Sequence, residues 1–400
     1  MLYILYFYIA FILFFTFDFS RKGVFYIFSP FITIYLAFAV NDVIPLIAAL
    51  STDIIEIPEN LKYVTTTTAI INILSLLIFK NQLQKKISIT TPYFTQRILK
   101  QRKKIFTLFI SLILFAGIIT GVTPALIKGI NVEDLRRTSE IGIGFIRTIP
   151  LFGIPYILLV YLFSKTTIGF LKKGLICLFI GIGCFFTTAA RGDILTYAIV
   201  FFIWFNISKR AFKWYEYYGV FYILSPIIAT FLFLLRGGGG IKEGLWNSFF
   251  SQQFMIFGAN TLRLMNYITD ENLFWGESYY TDIIKIIPRF IWPDKPVSID
   301  YKYKELVGLE FEGGGIYTTT PNDFYLNFGT YYFISYIIWI LIIHYLYRKL
   351  ADSTTSFYNK IALVLFLSLY YSPKTIIGTF EVYILFLILC YLFTRKWKTI

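Results

Sequence analysis

Residues 2–17 read LYILYFYIAFILFFTF, a run without a charge that is followed by Asp18, Arg21 and Lys22. A soluble domain cannot keep such a segment from water on every side. A bilayer helix of about 20 mostly apolar residues can, because lipid requires each backbone N–H and C=O to be bonded within the segment. The run lacks the basic leading region and small-residue cleavage site of a signal peptide, so it reads as a retained helix. Outward from it, ten more segments share its character, near 24–41, 62–79, 105–121, 148–164, 174–190, 194–208, 215–235, 331–347, 357–372 and 376–394. With 57% hydrophobic, 20% aromatic and only 15% charged residues among 400, the sequence predicts an all-α polytopic membrane protein with about eleven transmembrane helices.

The charges then acquire a reason. Most of the 37 lysines and arginines fall in alternate gaps: 21–22, 80–104, 165–173, 209–213, 348–360 and the tail after 394. Basic residues concentrate on the cytoplasmic side, which predicts an outside N-terminus and a cytoplasmic C-terminus in a plasma membrane. The net charge of +14 is therefore topological, and a nucleic-acid partner is not expected, since no basic stripe gathers on a soluble face. Cys177, Cys184 and Cys390 all lie in predicted spans and suggest neither a disulfide nor a metal site.

One gap departs from the short connections. Residues 236–330, between the eighth and ninth spans, are rich in Phe, Tyr, Trp and Ile, too apolar for a linker. They predict an extracytoplasmic cap inserted in a single transmembrane domain of residues 1–400. ESYYTDIIKIIPRF, residues 277–290, is amphipathic enough to lie among lipid headgroups. No internal repeat is evident, against an inverted-repeat transporter.

Chemistry is sought where cap, water and membrane meet. Arg191 in TTAARGDIL, Arg236 in FLLRGGGG and Arg289 in IIPRFIWPDKP stand at outer helix ends or in the cap. A single arginine there can merely reach headgroups. Three on the sparsely basic face suit an anion at the interface, because guanidinium matches phosphate oxygens bidentately. Asp193 either faces Arg191 or caps its helix. The glycines after Arg236 free the backbone to approach an anion or to hinge, and the prolines around Arg289 and Lys295 hold both cations in place. A second stretch, EGGGIYTTTPNDFYLNFG (312–329), gathers Glu312, Tyr317, Asp323, Tyr325 and Asn327, side chains suited to a sugar or to a polar turn. Arg263, in the same loop, joins the candidate substrate-binding residues, and membrane lipids are partners throughout.

These motifs carry a resemblance. TTAARGD, LLRG, PRFIWPDKP and TPNDFYLNFG, in this order, resemble the pattern of Wzy-type polymerases of O-antigen and capsule repeat units, although that pattern would carry glutamate where Asp323 stands. The resemblance implies a GT-C-like glycosyltransferase of the bacterial inner membrane. Its substrates would be undecaprenyl-diphosphate-linked oligosaccharides, and a chain-length-regulating co-polymerase would be a partner. Arg191, Arg236 and Arg289 would stabilise the departing diphosphate. Asp323, or second Glu312, would take the proton of the acceptor hydroxyl. No metal or other cofactor is expected, since no ligand-spaced set is present.

Two other classes compete. An O-antigen ligase-like enzyme would need an outer histidine, whereas the sole histidine, His344, falls late in an outward-to-inward helix and reads as buried and hydrogen-bonded. A flippase of lipid-linked sugars would carry charges inside several spans and short loops on both sides.

Overall fold

The computed structural model describes residues 1–52, 57–89, 153–163, 169–188, 191–219, 256–269, 271–284, 287, 291–297, 299–308 and 318–369. The spans expected at 105–121 and 376–394, and most of that at 215–235, lie outside them. Among the described residues there is no strand. Four helices there are long and apolar enough to cross a membrane: Leu2–Lys22, Phe31–Leu50, Glu59–Leu83 and Thr320–Ala351. Shorter apolar helices are Ile154–Phe163, Thr196–Ser208 and Phe357–Ser368. The chain is a helical membrane protein.

It divides into two compact units, residues 1–88, 205–280 and 297–353 in the first, residues 89–204, 281–296 and 354–400 in the second. The first unit is built on α1 (Leu2–Lys22). Its inward residues Leu5, Tyr8, Ile12, Phe15 and Phe19 recur at intervals of three and four, one helical stripe. Its outward residues Tyr3, Phe7, Phe14 and Phe17 are exposed and equally apolar, as a lipid-facing surface requires. Gly23 ends the helix at φ 68°, a left-handed turn that lets its own N–H and that of Val24 reach the orphan carbonyls of Ser20 and Phe19.

The second span differs from the sequence reading of 24–41. Residues 24–29 are not helical, and the helix runs from Pro30 to Thr52, including two π-helical segments, π1 (Phe31–Leu36) and π2 (Ala39–Val43), then α2 (Ile44–Thr52). Pro30 explains the late start: its fixed φ suits the first position, and the Ser29 carbonyl accepts from Ile32 and Thr33. Asp42, just past the expected end at 41, stays helical and finds polar partners inside the protein.

α3 (Glu59–Leu83) packs on α1, and both pack against the π-helical span. The long loop contributes α8 (Ile256–Tyr267), the start of α9 (Glu277–Ile284), and α10 (Ile299–Leu306). After it come α11 (Thr320–Phe328), a 3₁₀ turn at Gly329–Tyr331 and α12 (Tyr332–Ala351). α12 leans on α3 and on α11. α3 and α12 are inside-out: Thr65, Thr68, Asn72, Tyr332, Tyr336 and His344 are buried, while Ile70, Leu74, Ile78, Ile338 and Leu341 are exposed. With lipid as apolar as leucine, hydrophobicity cannot draw helices together, and packing with interhelical hydrogen bonds of roughly 0.6–2 kcal/mol each must do so. Tyr332 Oη to the Val64 carbonyl (2.9 Å) is one such bond.

At the basic end, α7 (Trp214–Tyr218) is tied to α1 through the Trp214 N–H and Ser20 Oγ, 3.0 Å. Arg210 and Glu216 pair there. The guanidinium bonds hold the Glu216 carboxyl below its ordinary range, and the same bonds raise Arg210.

The second unit pairs α4 (Ile154–Phe163) with α13 (Phe357–Leu369), and α5 (Phe170–Thr188) with the part of α6 (Arg191–Ser208) up to Trp204. Gly181 lies where α5 meets α6 closely: a Cβ there would come within 3.2 Å of Tyr197 Cβ and 3.4 Å of Ile194 Cα. Lys173 is buried, with Nζ 4.2 Å from the Trp204 ring centroid and donating to the Leu162 carbonyl at 2.8 Å.

Candidate functional site

TPNDFYLNF is not a polar turn. It folds as α11, and Pro321 through Asn327 are all buried. Pro321 near the start suits the helix, since its missing N–H would be unpaired there anyway. A short helix buried on every side must find partners for its polar atoms inside the protein.

Its partners come from other segments of the long loop and from the membrane helices. Tyr303 on α10 donates its phenol proton to Asp323 Oδ1 at 2.8 Å. Asn327 Nδ2 donates to Ser278 Oγ (2.8 Å) and to the Asp323 carbonyl (2.7 Å), and Asn327 Oδ1 accepts the Gly276 N–H at 3.0 Å. Trp275 and Gly276 adopt φ 46° and 87°. Beside this left-handed turn, the N–H groups of Phe274 and Trp275 reach the carbonyls of Leu326 and Asn327, which the end of α11 leaves without helical partners. Phe274 meets Tyr303 edge-on at 5.1 Å, Tyr279 stacks on Phe328 at 6.0 Å, and Lys302 pairs with Glu277.

The other face of α11 meets the π-helical span. Asp42 Oδ1 accepts from Thr319 Oγ1 at 2.5 Å and from Asn322 Nδ2 at 2.9 Å. Thr319 is the residue before α11, and its hydroxyl serves Asp42 rather than the helix N-terminus. Nearby, Thr261 on α8 and Thr318 share a hydrogen bond of 2.9 Å, and Asn60 of α3 donates to the Met265 carbonyl of α8 at 2.7 Å. α8 packs against π2, α3 and α11, so loop elements enclose this end.

A polar file continues into the unit. Tyr336 Oη donates to Asn72 Oδ1 (2.9 Å), Asn72 Nδ2 to Tyr8 Oη (3.3 Å), Tyr8 Oη to the Tyr35 carbonyl (2.9 Å), and Tyr35 Oη bonds His344 Nε2 at 2.7 Å. The Tyr8 proton ends on a backbone carbonyl, so the file is a set of interhelical ties and not a continuous proton wire. At its far end Gln82 donates to the His344 carbonyl, and Lys80 lies over Phe15 at 5.5 Å. His344 thus lies with the basic helix ends, buried and hydrogen-bonded, as its place in the sequence indicated.

The residues singled out from sequence are distributed as follows. Arg191 is the first residue of α6. Arg236, Arg289, Glu312 and Tyr317 lie outside the described residues. Arg263 is exposed on α8. Lys295 belongs to the second unit and donates to the Ile287 carbonyl at 2.7 Å. Tyr325 is buried with its ring edge-on to Tyr332 at 6.0 Å, and Asn327 is engaged wholly within the fold. Asp323 is buried within α11 and caps no helix. Sequence reading missed Asp42, Asn72 and Tyr303. For Asp42 a signal existed: IPLIAAL, residues 44–50, follows it, so the charge stands inside an apolar run.

Comparison with known protein families, with curated proteins and with solved structures gives no match to this chain. Its function is argued from its own residues.

Proposed function

We propose that the chain is a glycosyltransferase that polymerises undecaprenyl-diphosphate-linked oligosaccharide repeat units on the outer face of the bacterial inner membrane. The observation that carries this reading is the ordered series TTAARGD, LLRG, PRFIWPDKP and TPNDFYLNFG, whose last member binds the long loop to the membrane helices. The basic ends of α1, α3 and α12 face the cytoplasm by the positive-inside rule, which puts α11 and the loop outside. In glycosyl transfer the anomeric carbon gains positive charge and the departing diphosphate negative charge. Arg191, Arg236 and Arg289 stabilise that diphosphate while the polymer passes to an acceptor hydroxyl.

Alanine at Arg191, Arg236 or Arg289 should each lower polymerisation roughly 100-fold or more while expression is retained, read as surface glycan shortened to a single repeat unit. Arg289→Lys should also be impaired, because a point charge does not replace a bidentate fork. Full-length polymer in all three alanine variants would overturn the reading. Asp42, a carboxylate inside a span, is the kind of residue a flippase would carry. The same assay separates the two: a lost flippase leaves lipid-linked units on the cytoplasmic leaflet, a lost polymerase leaves them unjoined outside.

A further inference from the structure

We infer that Asp42 is the general base that takes the proton of the acceptor hydroxyl, with Thr319 and Asn322 orienting its carboxylate. The inference rests on the polymerase reading and names a residue that the motifs did not.

Three observations carry it. The carboxylate is oriented: Thr319 Oγ1 and Asn322 Nδ2 both hold Oδ1, whereas Oδ2 accepts no hydrogen bond from any described residue. Asp42 keeps 8% of its surface open. The neighbouring amide is half-used: Asn322 is 1% exposed, and its Oδ1 is buried without a hydrogen-bond partner among the described residues. A buried acceptor left unpaired costs roughly 1–3 kcal/mol, so the amide keeps Nδ2 turned to Asp42 at the expense of its own oxygen. Finally, Asp42 lies in a π-helical turn, an irregularity that recurs at functional sites, and the loop helix α8 packs against that turn. Asp323 is the less accessible carboxylate, 2% exposed against 8% for Asp42.

The step balances. Asp42 takes the hydroxyl proton as that oxygen forms its bond to the anomeric carbon. The bond from that carbon to the diphosphate oxygen breaks, and its electron pair leaves with the diphosphate. The proton then passes from Asp42 to water.

The groups facing Asp42 bear on any pH dependence. They are the phenols of Tyr8 on α1 and Tyr336 on α12. On α11 Asp323 is bonded to Tyr303, on α3 Glu59 and Lys62 pair at the exposed start of the helix, and on α8 Arg263 is exposed.

The test uses membrane vesicles of the source cell, which carry their own lipid-linked repeat unit, and reads polymer formed against pH. Asp42→Asn should slow polymerisation at least about 100-fold, with an unchanged melting temperature in detergent. It should also abolish the fall in rate that wild type shows as the base is protonated. Asp42→Asn at more than a tenth of the wild-type rate would overturn the inference and leave the polymerase reading standing. Wild-type protein that makes no polymer in vesicles containing the repeat unit would instead sink that reading. Should Asp42→Asn fail to fold, Asp42→Glu decides: a slowed rate with the acid limb kept but displaced is expected, and wild-type rate and profile would refute the assignment.

Discussion

The first unit has two polar ends built from the same helices, and they are finished differently. At the His344 end, Phe79 stacks on the imidazole at 4.0 Å, Tyr35 bonds Nε2, and Gln82 holds the backbone carbonyl. His344 Nδ1 has no partner among the described residues, but the face of its ring is covered. At the Asp42 end, the carboxylate has one oxygen fixed and the other without a hydrogen-bond donor among the described residues, and α8 and the start of α11 lie against it. A polar group closed over by aromatic rings joins helices. A polar group oriented but not saturated can accept a substrate proton. The difference separates residues that hold this protein together from those that would act.

The largest test of that division is on activity, and it is the loss expected at Asp42 set against the arginines. Next comes His344→Ala, which removes the ring stacked on Phe79 and the Tyr35 bond. It should lower stability by about 2–3 kcal/mol, seen as earlier thermal unfolding in detergent, while polymer per folded molecule stays within about twofold. A loss of activity equal to that of Asp42→Asn with unchanged melting would break the contrast.

Tyr303→Phe removes the phenol's hydrogen bond to Asp323 Oδ1 and should cost about 1 kcal/mol, loosening α10 from α11 in hydrogen exchange. Asp323→Asn keeps an acceptor for that phenol and should reduce polymerisation far less than Asp42→Asn. The reverse ranking would move the base to Asp323.

The smallest effect belongs to the basic end. Because its folded carboxyl titrates below the ordinary 4.5, Glu216 adds stability that is present above that value and lost as pH falls through the lowered one. The pair with Arg210 is partly solvent-exposed, so Glu216→Gln should change stability by less than about 1 kcal/mol, and added salt should shrink even that. A melting temperature that stays the same from pH 7 to pH 3 would remove this contribution.

Much of the frame could be read in one dimension. The helices found at 2–22, 59–83, 170–188, 191–208 and 357–369 overlap expected spans, because lipid enforces long apolar runs whatever their neighbours. The second span was placed too early for the same reason read too strictly: the apolar run opens at Val24, and Asp42 looks like an exit to water when its partners are unknown. In TPNDFYLNF, polar composition suggested a turn, since no local pattern announces that each polar atom will find a mate inside.

Sequence by itself determined the solvent this chain lives in, the approximate course of its helices and the basic gaps between them. Those follow from transfer energies summed over neighbouring residues. Tertiary structure alone decided which polar groups meet, for Asp42 reaches Thr319 and Asn322 across 277 and 280 positions of chain. Contacts at that separation depend on how helices pack and on buried donors finding acceptors, and neither is encoded in the local run of residues.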